Sequence, residues 1–381
     1  MKTIGIVCEY NPFHNGHKFH IENAKKLLLA DKVVCVMSGS FVQRGEIAVY
    51  DKWTRAKMAI LNGADLVLEI PSYFCMQSSK EYAYGAVSVL NLLGNVDYLS
   101  FGSEEGNLEV LEKIAKIKRS KEYNLYLKEF IESGLSYSLS SENALKKILD
   151  YDDKKRIFSP NNLLGIEYIE ALNKTKSKIK AHTIKRHLTD HLENEIENNF
   201  ATASKIREFI KEGKDFKKYV PYDDIFDTFD EQNAESFILG FFRLLSDKKS
   251  ILGGEDGLCE RLIKCAKESA SLDEFYNLST SKRYTKSRIK RCVKCAILDV
   301  KKASKLDYIR VLAFNDKGRE ILKASQNKDL IVTKTADFNP SKNSMFKYDI
   351  MATDFMYLCA NDNKKRKSGM DFTTPPVYIK N

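Results

Sequence analysis

Three histidines, His14, His17 and His20, stand at three-residue intervals in the segment GIVCEYNPFHNGHKFH. Residues so spaced lie close together along one side of a helix. Such a set can ligate a metal, hydrogen-bond an anion, or move a proton. A metal needs further ligands, and neither an HExxH arrangement nor a nearby glutamate completes the set, so no metal site is expected. An anion fits better. Asn11, Pro12, Asn15 and Gly16 make a turn between an apolar run and a helical pattern. The start of a helix offers unpaired N–H groups and the positive end of a dipole, which together hold phosphate. Gly16 lets such a group approach the backbone closely. His14 and His17, one turn apart, can then donate hydrogen bonds to charge that develops during phosphoryl chemistry.

Chemistry at that turn requires elements that hold it in place. Residues 3–8 read as a buried strand and residues 18–30 as a helix. Residues 32–37 form a second strand, ended by Ser38-Gly39-Ser40. A helix over 52–62 is closed by Gly63. Residues 65–70 make a third strand, stopped by Pro71. Residues 81–93 are helical, and 96–101 give a fourth strand. Repeated strand–helix–strand units imply a parallel sheet covered on both faces. Right-handed crossovers make it doubly wound, an α/β fold. The first strand-to-helix loop, with His14 and His17, then lies at the carboxyl edge where ligands bind. Residues 104–160 read as a charged helical insertion, 179–184 as another strand and 203–212 as a helix. Beyond about residue 215 the pattern is mainly helical, over 234–245, 259–268 and 287–302. Residues 307–314 suit either a strand or a buried helix start. Two domains are expected, 1–215 and 216–381.

Composition narrows the function. Hydrophobic residues make up 43% and charged residues 30%, as in an ordinary soluble globular protein. No apolar run approaches the ~20 residues of a membrane span. The N-terminus enters a strand without the shape of a signal peptide, so a cytoplasmic protein is expected. The eight cysteines are scattered, several in apolar segments that suit buried thiols. Cys292 and Cys295 form one CxxC with no second pair, which reads as two residues of a helix rather than a zinc site.

The net charge of +10 is uneven. Lys and Arg number 31 against 29 acids over residues 1–215, but 31 against 23 over 216–381. Residues 282–305 hold ten basic residues and one acid, Asp299, which suggests a polyanionic partner. In the amphipathic helix expected there, Ile289, Val293, Ala296 and Val300 share one face, and Lys286, Lys290 and Lys294 another. Arg283, Tyr284, Arg288 and Arg291 add groups suited to phosphate contact and base stacking. Residues 364–367 are a second basic run, read as a loop.

His14-Asn-Gly-His17 resembles the HxGH signature of the nucleotidyltransferase superfamily, related to the HIGH motif of class I aminoacyl-tRNA synthetases. There the two histidines bind the ATP phosphates and stabilise the transition state at the α-phosphate. A second superfamily signature, (I/S)SxxIR, is matched by ATASKIR at 201–207. Ser204 and Arg207 would then contact the β- and γ-phosphates. A KMSKS motif is absent, which argues against a synthetase. EYNPFHNGHKFH, SGSFVQRGEIA, GADLVLEIP, FGSE, SPNNLLGIEYIEAL and TIKR follow in order. Together these segments resemble the bacterial tRNA(Met) cytidine acetate ligase family, strongly to about residue 210 and more weakly beyond. Ile47 departs from that pattern, where Pro is expected after Arg-Gly-Glu.

The resemblance implies a Rossmann-like (HUP-type) catalytic domain with a mostly helical, basic, tRNA-binding C-terminal domain. It implies an enzyme that activates acetate with ATP as acetyl-adenylate. The acetyl group then passes to N4 of the wobble cytidine of elongator tRNA(Met). ATP is thus a substrate, with magnesium accompanying it; the partners are acetate and tRNA, and no membrane. His14 and His17 would be catalytic. ATP would be cradled by Val7, Cys8, Glu9, Tyr10, Asn11, Pro12, Phe13, His14, Asn15, Gly16, His17, Lys18, Phe19 and His20. Gly102, Asn162, Arg186, Ser204 and Arg207 complete that set. The tRNA contacts would be Arg283, Lys286, Arg288, Lys290, Arg291 and Lys294. By residue chemistry, Gly102 also suits a turn, Asn162 a cap for a helix starting near residue 163, and Arg186 a surface charge. His20 suits packing or the pocket wall, and Gln43, Arg44 and Glu46 suit acetate, phosphate or RNA. Two other readings compete. One is a small-molecule adenylyltransferase of the pantetheine-phosphate or nicotinate-nucleotide type, which leaves the basic half without a purpose. The other is a non-catalytic RNA-binding protein.

Overall fold

The segment TIGIVC has no polar side to give to water, and it becomes the central strand β1 (Thr3–Cys8). The computed structural model describes residues 1–149, 158–186, 199–224, 226–245, 251–255, 257–302 and 305–380. Residues 150–157 of the expected helical insertion, and His187 and His191, lie outside these. Further strands are β2 (Lys32–Ser38), β3 (Leu66–Ile70), β4 (Tyr98–Ser103) and β5 (Lys180–Lys185). They lie in the order β5-β4-β1-β2-β3, all parallel. β2 and β3 are buried almost throughout, as strands covered on both faces must be.

The connecting helices are α1 (Asn15–Leu28), α2 (Lys52–Leu61), α3 (Ser72–Cys75) and α4 (Ser79–Leu93). The insertion contains α5 (Leu108–Lys118), α6 (Lys121–Glu132) and α7 (Tyr137–Ile148). It is followed by α8 (Pro160–Lys174), and the second signature segment opens α9 (Ala203–Glu212). The chain runs from β1 outward through β2 and β3, then returns to β4 on the other side of β1. That reversal opens a crevice above the carboxyl ends of β1 and β4, the place where such sheets bind ligands.

Beyond residue 215 come α10 (Glu235–Leu244), α11 (Leu258–Glu268), α12 (Leu272–Ser279) and α13 (Lys286–Ile297). The segment that suited strand or helix is β6 (Ile309–Phe314), antiparallel to β3 with Leu66 opposite Phe314. Its apolar run is buried on both faces, so periodicity could not choose between the two forms. After it come α14 (Asp316–Ala324), β7 (Ile331–Val332), α15 (Phe346–Leu358), α16 (Met370–Thr373) and β8 (Val377–Tyr378). β7 and β8 pair with β6, so one sheet joins residues from both halves of the chain.

A buried ionic cluster fastens this junction. Lys52 Nζ on α2 lies 2.9 Å from Glu69 on β3 and 2.9 Å from Asp371 on α16. Arg310 on β6 lies 3.0 Å from Asp371. Desolvating such groups costs several kcal/mol per ion, so the cluster holds only while each charge keeps its partner.

Candidate active site

The β1–α1 loop bends sharply. Tyr10 takes φ +46, a left-handed conformation rare for a side-chain-bearing residue and found often at functional sites. His14 then caps α1 in extended conformation. Its Nδ1 accepts the Gly16 N–H at 3.0 Å, and its own N–H is donated to His17 Nδ1 at 3.2 Å. This is a capping box with histidine in both side-chain roles. A Cβ on Gly16 would come within 2.9 Å of the His14 ring, so glycine is needed here for the cap itself. The two imidazoles stack with centroids 3.7 Å apart.

Protonation follows from that geometry. With each Nδ1 accepting a hydrogen bond, a neutral ring carries its proton on Nε2, ready to be donated. Burial pushes His14 down to about 3, and the Arg186 guanidinium adds to the effect. Burial, His14, Arg186 and His20 hold His17 well below its usual range. Both are neutral donors at physiological pH. His20 is pushed down to about 4 by burial, then Arg186 and His182. Its Nε2 meets Ser100 Oγ at 3.2 Å, and Ser100 Oγ meets His182 Nδ1 at 3.2 Å. His20 therefore ties α1 to β4 and β5 and also lines the cavity.

That cavity measures about 1150 Å³. Val7 to Asn11, His14, Gly16, His17 and His20 form one wall, Gly102 and Arg186 another, and Ser204 and Arg207 a third. Arg207 Nη1 donates to Asn11 O at 2.7 Å, and Nη2 reaches Ser204 Oγ at 3.3 Å. The two signature segments are thus bonded to each other. A Cβ on Gly102 would sit 3.1 Å from Arg186 Cγ, so this glycine makes room for the guanidinium chain.

Five residues expected in the cradle do not line the cavity. Pro12 and Phe13 are buried in the loop, with Phe13 packed on Tyr10 and His17. Asn15 Nδ2 turns away to the backbone of Asn199 and Lys218. Lys18 faces an outer groove beside Glu22 and Lys25, and exposed Phe19 packs on Phe200. The helical period carries Asn15, Lys18 and Phe19 off the ligand side. Asn162 does not line the cavity either. Its helix starts at Pro160 with Ser159 at the N-cap, so Asn162 caps nothing. It is buried and accepts the Glu105 N–H at 3.1 Å. Its neighbour Asn161 lines the cavity and accepts from Arg186 Nη1 at 3.3 Å, with its amide held by Glu104. Two adjacent asparagines look alike in sequence, and only the phase of α8 separates them.

A family model described as HIGH Nucleotidyl Transferase matches residues 1–371. A tRNA(Met) cytidine acetate ligase of Thermosipho africanus is 40% identical over 99% of this chain and 99% of its own. One from Acetivibrio thermocellus is 36% identical over 98% and 99%. This chain belongs to the tRNA(Met) cytidine acetate ligase family. Thermotoga maritima TmcAL bound with alpha-thio ATP superposes with a TM-score of 0.88 at 31% identity, covering 100% of both chains. Its apo form gives 0.91 at 32%, again over 100% of both chains.

In this member of the ligase family, the basic helix α13 is a wall of the same cavity. Arg283, Arg288 and Arg291 line it. Arg283 and Arg288 lie 5.8 and 5.3 Å from the Tyr284 ring, and Arg291 Nη1 donates to Gln43 O at 3.2 Å. Lys290 pairs with Glu46 at 2.9 Å, while exposed Lys286 reaches Asn277. Lys294 is the clear correction to the expected basic face. It is wholly buried, bound to Glu231 and within 3.3 Å of the Tyr276 hydroxyl. Its stripe along α13 was right, but α12 and Glu231 cover that end of it. Ser136, Tyr137 and Ser138 at the start of α7 also line the cavity. The insertion's charge pattern gave no sign of which end turns inward.

Proposed function

We propose that this protein activates acetate with ATP and transfers the acetyl group to N4 of the wobble cytidine of elongator tRNA(Met). The observation that carries the reading is the stacked pair of neutral histidines, bonded through the loop backbone to the ATASKIR helix inside one cavity. An acetate oxygen attacks the α-phosphorus, the bond to the β-phosphate bridge breaks, and pyrophosphate leaves. The Nε2–H groups of His14 and His17 stabilise the charge that grows on the α-phosphate. Ser204 and Arg207 hold the departing pyrophosphate. Gly102, Asn161 and Arg186 face the nucleoside. The cytidine N4 then attacks the acetyl carbonyl, AMP leaves, and the nitrogen loses a proton.

Residues 1–215 bring the phosphate chemistry, and residues 216–381 bring the RNA-facing wall through Arg283, Arg288 and Arg291. Magnesium would come with the triphosphate. No group of three acidic, histidine or cysteine side chains among the described residues makes a cage for it, so phosphate oxygens and water would supply its ligands. No described helix is long and apolar enough to cross a membrane; a tRNA substrate supports the reading of a cytoplasmic reaction.

The test is incubation with ATP, labelled acetate and total bacterial tRNA, followed by digestion of the RNA. Label in N4-acetylcytidine at the wobble position of elongator tRNA(Met) is expected. ATP consumption with no label in RNA would refute the reading.

A further inference from the structure

The turn after β2 is held far more tightly than a surface loop requires. Val42 N–H bonds Glu46 O, Gly45 N–H bonds Val42 O, and Phe41 bridges to Ile47. Gly45 takes φ +76, and a Cβ there would lie 2.5 Å from the Arg291 nitrogen, so the turn is pressed onto α13. Four more contacts pin it. Glu9 Oε1 accepts the Gln43 N–H at 2.8 Å, and Arg291 donates to Gln43 O at 3.2 Å. Lys290 pairs with Glu46 at 2.9 Å, and Arg207 lies 3.8 Å from Glu46. β1, α9 and α13 thus converge on a five-residue turn whose tip is Arg44.

Arg44 itself makes no hydrogen bond or ion pair with any described residue, yet it lines the cavity. The neighbouring guanidinium groups of Arg207, Arg186 and Arg291 are all engaged. Arg44 and Lys80 are both exposed where they reach the cavity wall, but Lys80, at the start of α4, has no such clamp on its backbone. Around the turn the cavity floor is apolar. Val42 and Met76 are buried there, and the Tyr82 hydroxyl meets Cys8 O and Ser38 Oγ at the ends of β1 and β2. Two carboxylates, Glu9 and Glu46, stand close enough to act on the charges around Arg44.

We infer that Arg44 binds the carboxylate of the short acid that is activated, with its methyl group against Val42 and Met76. One oxygen of acetate rests on the guanidinium while the other attacks the α-phosphorus. The held oxygen becomes the carbonyl oxygen of the acyl-adenylate. When the cytidine N4 adds to that carbonyl, negative charge gathers on the same oxygen, and Arg44 is already beside it. The clamp on the turn holds the Arg44 backbone in place through both steps.

This inference rests on the acetate-activating reading above, and one experiment separates the two. Acetate-dependent exchange of labelled pyrophosphate into ATP is measured without RNA, for the wild type, Arg44→Gln and Arg44→Lys. Binding of ATP alone is measured alongside by calorimetry. Arg44→Gln is expected to raise KM for acetate by about 10- to 100-fold, the worth of one charge-assisted hydrogen bond. ATP affinity should stay unchanged, and Arg44→Lys should recover part of the loss. Wild-type acetate dependence in Arg44→Gln, with only tRNA acetylation impaired, would assign Arg44 to RNA and overturn the inference. Weakened ATP binding would assign it to phosphate, with the same consequence. No acetate-dependent exchange by the wild-type protein would overturn the inference together with the functional reading.

Discussion

The β1–α1 loop and helix α13 both declare their chemistry in sequence, one through paired histidines and the other through a dense basic run. Their fates differ. In the loop, each functional atom is fixed by a neighbour within three residues: Gly16 bonds His14, and His14 bonds His17. In α13, three basic groups are fixed by residues far along the chain, Lys290 by Glu46, Arg291 by Gln43 and Lys294 by Glu231. Local chemistry keeps its meaning when the chain folds. Long-range chemistry gets its meaning only from packing, which made Lys294 a buried anchor while Arg288 became part of the cavity wall.

That contrast can be broken most forcefully at Lys294. Lys294→Ala leaves the partly buried Glu231 without its cation and should destabilise the fold by roughly 3–5 kcal/mol, read by denaturant titration. An RNA-facing lysine would cost little stability and would weaken tRNA binding instead. At Arg283, just before the helix, and at Arg288 the expectation reverses. Arg283→Ala and Arg288→Ala should each lower tRNA affinity and reduce the slope of log K against log salt by about 1, with a far smaller loss of stability than Lys294→Ala. A loss of stability with normal RNA binding would sink that distinction.

The loop makes a prediction about pH. His14 and His17 are buried neutral, so below about 6.5 the unfolded chain binds protons that the folded rings refuse. Stability from these rings is complete above that pH and declines as pH falls towards about 3, where His14 itself protonates. NMR titration should show His14 neutral, with its proton on Nε2, from pH 8 to 5. Protonation near pH 6.5 would contradict the buried cap. The smallest effect is expected at Glu46, whose side chain is 33% exposed. Glu46→Gln should cost under about 1 kcal/mol of stability. It should still loosen the turn that presents Arg44, visible as a higher KM for acetate.

What could be read from sequence follows the same division. Strands β1 to β4 and the HNGH turn were legible because apolar runs and turn residues act over a few positions. That ATASKIR shares a site with the first loop was expected only through the resemblance, and the bond from Arg207 to Asn11 O was not foreseen, since no local signal spans that separation. Asn161 was missed beside Asn162, because the start of α8 depends on Ser159 and Pro160 rather than on Leu163. β6 was ambiguous for want of a polar face, and only its pairing with β3 shows that the sheet continues into the second half.

The histidine pair is the centre of the proposed chemistry. Pyrophosphate exchange with ATP and acetate, in the absence of RNA, isolates the step assigned to it. His14→Ala and His17→Ala should each slow that exchange by about 100- to 1000-fold, the usual effect of removing one donor to a transition-state anion. ATP should still bind to both variants. Exchange at the wild-type rate in either variant would contradict the claim that these two imidazoles act on the α-phosphate.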